Sequence, residues 1–208
     1  VVTARTKYPQ GAEKMLIKRV MKRQVPSGGL PADVGCVVSN ISTTKAISDA
    51  IQTGMPLVER VVSVTGEHIQ NPGNYIVKIG TNTKELIDYC GGITGEDVTV
   101  KAGGPMMGFV LTDTNVPIMK GSNGIIAVDT DHTAEQPCIK CGRCVDVCPM
   151  ELSPLYFAKY ADDENWQGMK DKNVMDCLEC RCCEYICSSK IPLVTKIKAG
   201  KNAVRGMK

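Results

Sequence analysis

The sequence has 208 residues, which is enough for one medium-sized domain or for two to three small ones. Its net charge of +3 argues against nucleic acid as the main partner, because nucleic-acid-binding proteins usually carry a strong basic stripe. Only 4% of the residues are aromatic, so the cores of a soluble globular protein of this composition must consist of Val, Ile, Leu and Met.

The first part of the chain predicts two helices joined by turns. Residues 11–23 have apolar side chains at helical spacing and Lys or Arg on the opposite side, which indicates an amphipathic helix. The stretch VPSGGLPADVG follows, and its Pro and Gly residues predict turns. A second helix is expected over about 44–53, with Ser42 or Thr43 as its cap and Gly54 at its end.

Two short strands are also expected in this part, one at the very start and one at 36–39. The chain begins with Val1 inside the first of them and shows no signal-peptide pattern, so we expect a piece of a longer chain. No apolar run approaches the ~18 to 20 residues that a membrane-spanning helix requires.

Short strands dominate the middle of the chain. RVVSVTG and NYIVKIG alternate between apolar and polar residues, KELIDYCGG predicts a short helix, and VTVKAGG predicts another strand. This order of strand, strand, helix and strand predicts a small β-grasp-like module. After GIIAVDTD the composition turns polar over 130–136, which indicates a linker. The string GGPMMG lacks the Lys-Ser/Thr ending of a phosphate-binding loop, so a tight turn is expected there.

The cysteines are concentrated near the C-terminus. Nine of the eleven lie between Cys138 and Cys187. Disulfides would be spread through a secreted fold, whereas metal sites concentrate their ligands, so we expect a metalloprotein in a reducing compartment. Cys36 and Cys90, which lie far from the others, are expected to be small buried apolar residues.

Eight of these cysteines form two runs with the spacing Cys-x-x-Cys-x-x-Cys-x-x-x-Cys, which is typical of two-cluster ferredoxins. In such runs three thiolates bind one [4Fe–4S] cluster and the fourth binds the other. Structural zinc is the alternative, but zinc uses two Cys pairs per ion and not the third Cys or the extension. Cys182 is expected to be a spare thiol. The predicted ligand sets are Cys138, Cys141, Cys144 and Cys187 for one cluster, and Cys148, Cys177, Cys180 and Cys183 for the other.

Several longer strings are also present, in this order: YPQGAEKMLI, VPSGGLPADVG, VVSNISTTKAI, ERVVSVTG, AGGPMMG and CSSKIPL. Together with the cysteine runs they closely resemble the C subunit of the Rnf complex, an ion-pumping ferredoxin–NAD oxidoreductase of bacterial membranes. That subunit is in turn similar to the flavin-carrying subunit of respiratory complex I. The resemblance covers almost the whole sequence.

The resemblance implies an α+β multidomain fold. Residues 1–56 would be the C-terminal part of an FMN- and NADH-binding domain, a partial Rossmann-like α/β segment. Residues 57–118 would be an SLBB β-grasp module, 119–136 a linker, and 137–208 an α-helical, ferredoxin-like domain with two [4Fe–4S] clusters.

The resemblance also implies flavin contacts. Gly11 and Glu13 lie at the family's Gly-Glu-Glu turn over the flavin, with Ala12 in place of the first Glu. The family's glycine-rich flavin loop and the acidic stretch that contacts the nicotinamide are not in this sequence. This piece is therefore not expected to bind FMN or NADH by itself.

A second implied flavin contact is an Asn-Asn-x-x-Thr motif. Asn40 and Thr43 match it, with Ser39 in place of the first Asn. From the residues alone, Asn40 and Thr43 are also candidates for capping the following helix.

The function implied by the resemblance is electron transfer between NADH, FMN and iron–sulfur clusters, coupled to ion translocation. The expected partners are the other subunits of the membrane complex and, indirectly, ferredoxin. The expected location is peripheral, at the cytoplasmic side of the bacterial membrane. No catalytic dyad is found, and no catalytic side chain is expected. The alternatives are a soluble flavo-iron–sulfur reductase, such as a cobalamin reductase, and a two-cluster ferredoxin fused to a passive scaffold.

Three further features have simpler explanations. His68 and His132 have no partner at metal-ligand spacing and are expected to be surface residues. Six basic residues near the C-terminus would either dock an acidic ferredoxin or an anionic membrane, or form a plain solvated face. They are Lys190, Lys196, Lys198, Lys201, Arg205 and Lys208.

Overall fold

The computed structural model describes residues 1–207. Lys208, one of the six basic residues of the expected docking or solvated face, lies outside the described part. The chain forms two compact units. One consists of Val1–Val38 together with the chain from Thr133 onward, and the other is Ser39–His132.

The helices and strands follow one another in this order: α1 (Glu13–Met21), α2 (Ile41–Thr53), β1 (Glu59–Thr65), β2 (Gly73–Lys78), α3 (Thr83–Tyr89), β3 (Val98–Ala102), β4 (Phe109–Val110), β5 (Gly124–Asp129), α4 (Arg143–Asp146), α5 (Pro154–Asp162), α6 (Trp166–Asp171), α7 (Cys182–Tyr185) and α8 (Leu193–Gly206). Short 3₁₀ turns lie at Pro31–Val34 and Val174–Asp176.

The unit 39–132 contains a five-stranded sheet in the order β2-β1-β5-β3-β4. Strands β1 and β5 pair in parallel, and the other neighbours are antiparallel. A hairpin, a helix and returning strands around a parallel central pair form the predicted β-grasp pattern. Along β1, Val62 and Val64 are fully buried while Val61 is exposed, as alternation requires. The core beneath the sheet consists of Val62, Val64, Ile69, Val77, Leu86, Ile87, Cys90, Val100, Ile118, Ile125 and Ala127.

The structure differs from the predicted linker at 119–136. Strand β5 lies inside this range and is the central strand of the sheet, hydrogen-bonded to β1 on one side and to β3 on the other. Ile125 and Ala127 are almost inaccessible to solvent. A connection between domains is therefore left only after Asp129, because an interior strand cannot leave the sheet without unpairing both neighbours.

The loop 103–108 joins β3 to β4 as the tight turn that its sequence predicts. Gly103 has a φ of 102°, and the Gly108 amide donates a hydrogen bond to the Gly104 carbonyl at 2.8 Å. A β-carbon at Gly108 would lie 2.5 Å from that same carbonyl oxygen, so the turn requires glycine.

The helix α2 begins earlier than predicted. Asn40 is its N-cap, since the Asn40 side-chain oxygen accepts a hydrogen bond from the Ser42 amide at 2.9 Å. The candidate cap Asn40 is thereby confirmed, whereas the candidates Ser42 and Thr43 lie inside the helix. Gly54 ends the helix with a φ of 73°, as expected.

The strands predicted at the N-terminus and at 36–39 do not form. Residues 1–6 and 36–39 have no regular secondary structure in the described chain, and residues 1–56 contain helices and turns only. A strand requires a hydrogen-bonded neighbour, and neither segment pairs with another one.

The other unit is helical, as the resemblance implies for residues 137–208. Helices α5, α6 and α8 pack around a core of Phe157, Met169, Val174, Ile197 and Val204. A second core lies next to the cysteines and contains Ala158, Cys183, Ile191, Leu193 and Val194. Among residues 1–207, no helix combines the length and the apolar character needed to cross a membrane.

Candidate metal centres

The two cysteine runs adopt the same backbone conformation. In each, the residue before the second Cys has a positive φ, 55° at Lys140 and 56° at Glu179. A second positive φ follows at Gly142 and at Arg181, and each of these residues is the N-cap of a one-turn helix, α4 or α7. Positive φ costs about 1–2 kcal/mol for a residue with a side chain, so the repeated loop shape is set by more than local preference.

This loop shape turns backbone N–H groups towards sulfur atoms. The Lys140 amide donates to the Cys138 Sγ at 3.4 Å, and the Glu179 amide donates to the Cys177 Sγ at 3.3 Å. The Leu152 amide donates to the Cys148 Sγ at 3.4 Å. Hydrogen bonds of this kind stabilise a thiolate over a thiol.

The cysteines line two separate cavities. The first cavity, of about 800 Å³, is bordered by three cysteines of the first run and the last cysteine of the second: Cys138, Cys141, Cys144 and Cys187. The second is bordered by the last cysteine of the first run and three of the second: Cys148, Cys177, Cys180 and Cys183. The structure therefore brings together the same two groups of four that the spacing predicts.

Each cavity offers a donor set that fits a [4Fe–4S] cluster. Four thiols border each one, and amide N–H groups point at three of the eight sulfurs. Within residues 1–207, no three His, Cys, Asp or Glu side chains converge closely enough to hold a single metal ion.

The two cavities differ in exposure to water. Cys138 and Cys141 of the first cavity are exposed, whereas Cys180 and Cys183 of the second are only 7% exposed. Burial raises the pKa of the Cys183 thiol to about 12, with the neighbouring cysteines adding to the shift. The pKa of the Cys144 thiol is also raised, mainly by burial. The second cavity is thus the more dehydrated of the two.

Cys182 borders neither of these cavities. It is half-buried in α7, and burial, together with the adjacent Cys180, raises its pKa to about 11.

Two polar side chains next to the second cavity, Tyr8 and Lys201, make contacts that the sequence does not predict. Tyr8, in the N-terminal segment, donates its hydroxyl to the Cys180 carbonyl at 2.7 Å. Lys201 donates to the Cys177 carbonyl at 3.0 Å and to the Glu179 carboxylate at 2.6 Å. A signal for Lys201 was present, because it lies between Ile197 and Val204 on the apolar face of α8.

The interpretation of the basic C-terminal residues as one solvated or docking face is therefore wrong in part. Lys201 is buried, with 7% exposure. Lys196 pairs with Asp162 at 2.8 Å and with Glu135 at 3.3 Å. These ammonium groups are already engaged by carboxylates of the same unit.

The structure distributes the predicted flavin contacts over both units. Gly11 lies in the turn before α1 and Glu13 is the first residue of α1, both in the unit that carries the cysteines. Asn40 and Thr43 belong to the other unit, where Asn40 caps α2 and Thr43 is exposed on it.

Comparison with protein families assigns three segments of the chain. Residues 1–49 match the Nuo51 FMN-binding domain, 61–110 the SLBB domain, and 135–191 the 4Fe-4S dicluster domain.

Relatives with similar sequences are the C subunits of ion-translocating oxidoreductase complexes. The C subunit of the proton-translocating ferredoxin:NAD(+) oxidoreductase complex of Clostridium ljungdahlii is 49% identical over 85% of this chain. The Na(+)-translocating counterpart of Acetobacterium woodii is 43% identical over 98% of it. The C subunit of the ion-translocating oxidoreductase complex of Pseudomonas aeruginosa is 39% identical over 99%.

The chain is a homologue of these C subunits. The predicted resemblance and the predicted α+β multidomain fold are thereby confirmed, and the FMN-binding and 4Fe-4S matches support the predicted cofactors. The chain spans less than half the length of these relatives, namely 39%, 47% and 27% in the same order.

Proposed function

We propose that this chain is the electron-transfer part of the C subunit of a membrane-associated, ion-translocating ferredoxin:NAD oxidoreductase. The observation that carries the proposal is the pair of cavities, each bordered by three cysteines of one run and one of the other. The names of the relatives support the same activity. When bound, [4Fe–4S] clusters supply single-electron transfer at a potential that the protein tunes.

The residues of the chain have positioning roles in this proposal. Cys138, Cys141, Cys144 and Cys187 hold one cluster, and Cys148, Cys177, Cys180 and Cys183 hold the other. Each run therefore contributes cysteines to both sites. No side chain is needed as an acid or base, since electron transfer breaks no bond in the protein.

We further propose that residues 1–56 belong to the FMN- and NADH-binding domain of the whole protein. Gly11, Glu13, Asn40 and Thr43 are the proposed flavin contacts, and all four lie within the FMN-binding match. The SLBB module then extends from 57 to 129, because β5 completes its sheet, and 130–136 form the linker. NADH would exchange electrons with the flavin, and ferredoxin would be reached through the other membrane subunits, at the cytoplasmic side.

The test is metal analysis of the anaerobically purified protein, with EPR after reduction by dithionite. We expect about eight iron and eight sulfide per chain and a coupled two-cluster spectrum. The Cys187→Ser variant should lose about half of the iron, since it removes a ligand of the first cavity. The matched control is Cys182→Ser, which changes a cysteine of the same run and should keep all of the iron.

Zinc in place of iron, or a single cluster in the unchanged protein, would contradict the ligand sets. Equal iron loss in Cys187→Ser and Cys182→Ser would also speak against them, because only Cys187 borders a cavity.

A further inference from the structure

Lys201 is a buried cation that the ligand sets alone do not explain. Its side chain is only 8% exposed, and its ammonium group is held by two acceptors of the loop that borders the second cavity. One is the carbonyl oxygen of the ligand Cys177 at 3.0 Å, and the other is the Glu179 carboxylate at 2.6 Å. Burying an ammonium group costs free energy, so its retention at this place calls for a compensating interaction.

The first cavity is bordered by a different lysine pair: Lys196, whose side chain is 20% exposed, pairs with Asp162 and Glu135 and not with the loop that carries the cysteines. The position of Glu179 in the repeated loop is taken there by Lys140, which is exposed. Arg143 and Lys159, which also border the first cavity, are exposed as well. Charges in contact with water are screened, whereas a buried charge next to a dehydrated cavity acts through a lower dielectric.

The two sites therefore differ in how easily a cluster bound there could be reduced. A four-thiolate cluster gains one negative charge when it takes up an electron, and burial opposes that gain. The second cavity is the dehydrated one, so a cluster there would be harder to reduce unless a positive charge lies close by. Two cations lie there: Arg181 borders the cavity, is 35% exposed and pairs with Glu184, whereas Lys201 is buried against the loop that borders the cavity, and Glu179 acts against it.

We propose that Lys201 raises the reduction potential of the cluster held by Cys148, Cys177, Cys180 and Cys183, and that Glu179 lowers it. This inference rests on the proposed cluster ligation. The step is the transfer of one electron from a one-electron donor, reduced flavin in the whole protein or dithionite in the test, and no bond forms or breaks. Lys201 is a positioning and charge-tuning residue, not a ligand.

The experiment is an EPR-monitored redox titration in the Cys187→Ser background, which isolates the second cluster. Lys201→Met keeps the length of the side chain and removes its charge. We expect the ratio of oxidised to reduced second cluster, at a fixed potential, to rise at least tenfold. For a one-electron couple this corresponds to a reduction potential lower by about 59 mV. Glu179→Gln should shift the same equilibrium towards the reduced form.

Two matched variants separate charge from shape. Lys201→Arg keeps the positive charge and should stay close to the unchanged potential. Lys198→Met removes a cation that lies 3.8 Å from the same Glu179 carboxylate but is 51% exposed, so water screening should leave the potential almost unchanged.

Opposite shifts of the potential in Lys201→Met and Glu179→Gln support the proposal. A purely structural disturbance would not change the direction of the shift according to the charge that is removed. Shifts in the same direction, or none, overturn it. Should Lys201→Met fail to hold its cluster, the Glu179→Gln shift decides alone. Iron and sulfide are measured in every sample, so a failure of cluster binding in the unchanged protein is recognised as a failure of the proposed function instead.

Discussion

His68 is tied into the fold by both ring nitrogens. Its Nδ1 lies 2.5 Å from the Thr94 carbonyl oxygen and its Nε2 lies 2.7 Å from the Asp129 carboxylate. Both partners are acceptors, so both nitrogens donate only when the ring is protonated. The hydrogen bond to Asp129 is the main reason that the pKa of His68 is raised. The expectation of a plain surface histidine is therefore incomplete, since the side chain is only 20% exposed.

This arrangement predicts a pH-dependent contribution to stability. A raised pKa in the folded state means that His68 stabilises the fold fully below its unfolded pKa of about 6.5 and loses this contribution as the pH rises through the folded value. Thermal unfolding at about pH 5.5 and about pH 8 should show a larger pH difference in the unchanged protein than in His68→Gln.

His132 provides the comparison for His68. It pairs with Asp97, which also raises its pKa, but its side chain is 72% exposed. Solvent screening should make the effect of His132→Gln on that pH difference the smaller of the two. A His68→Gln variant with the pH dependence of the unchanged protein would show that the His68 pair does not stabilise the fold.

At the scale of elements, the close approach of β1 and β5 requires one glycine. Gly66 follows β1 with a φ of 121°, and a β-carbon there would lie 1.9 Å from the Ala127 carbonyl oxygen of β5. The parallel pairing of β1 with β5 brings the two backbones this close. The sequence places a glycine after RVVSVT, but the reason for it becomes visible only in the sheet.

Gly66→Ala should therefore destabilise the sheet more than a substitution at another glycine with positive φ. Gly80 has a φ of 97°, and a β-carbon there would meet no atom within 4 Å, so Gly80→Ala carries backbone strain alone, about 1–3 kcal/mol. Gly66→Ala should add the clash, about 1–3 kcal/mol more. Urea unfolding of both variants measures their losses of unfolding free energy. Equal losses would mean that β1 and β5 make room for the new β-carbon at position 66 without a further loss of stability.

At the scale of the whole molecule, the proposed activity belongs to a larger assembly. The relatives are named as subunits of oxidoreductase complexes, and the chain spans less than half of their length. In the proposed function, the unit that carries the cysteines contributes one step of a longer electron path. Its proposed ligands can therefore be tested by measuring the activity of the whole complex.

In anaerobic membranes, Cys187→Ser in the whole protein should abolish most of the ferredoxin-dependent reduction of NAD⁺, because it removes a proposed ligand of the first cluster. Cys182→Ser should retain this activity. If attachment is peripheral, a high-salt wash should release the protein from the membranes. Full activity in membranes that contain the Cys187→Ser variant would show that the first cluster is not required for this electron transfer.

The sequence by itself predicted the two groups of cysteines that border the cavities. The spacing of the two cysteine runs assigns three cysteines to one site and one to the other, and the cavities contain these same groups. The spacing is informative because a loop that wraps a cluster must place its thiols at fixed intervals. Alternating apolar residues likewise predicted β1 and β2, since one face of each strand packs on the core.

Only the tertiary structure decided which residues surround those sites and where the sheet ends. Lys201 and Tyr8 bond to the loop that borders the second cavity, from positions 24 and 172 residues away from their partners. The spacing of α8 places Lys201 on the apolar face, but no local pattern identifies either partner. The sequence predicts a linker where β5 lies, because the central place of this strand depends on pairing with two distant strands. Local sequence specifies ligands and periodicity, whereas long-range packing decides which charge is buried and which strand is interior.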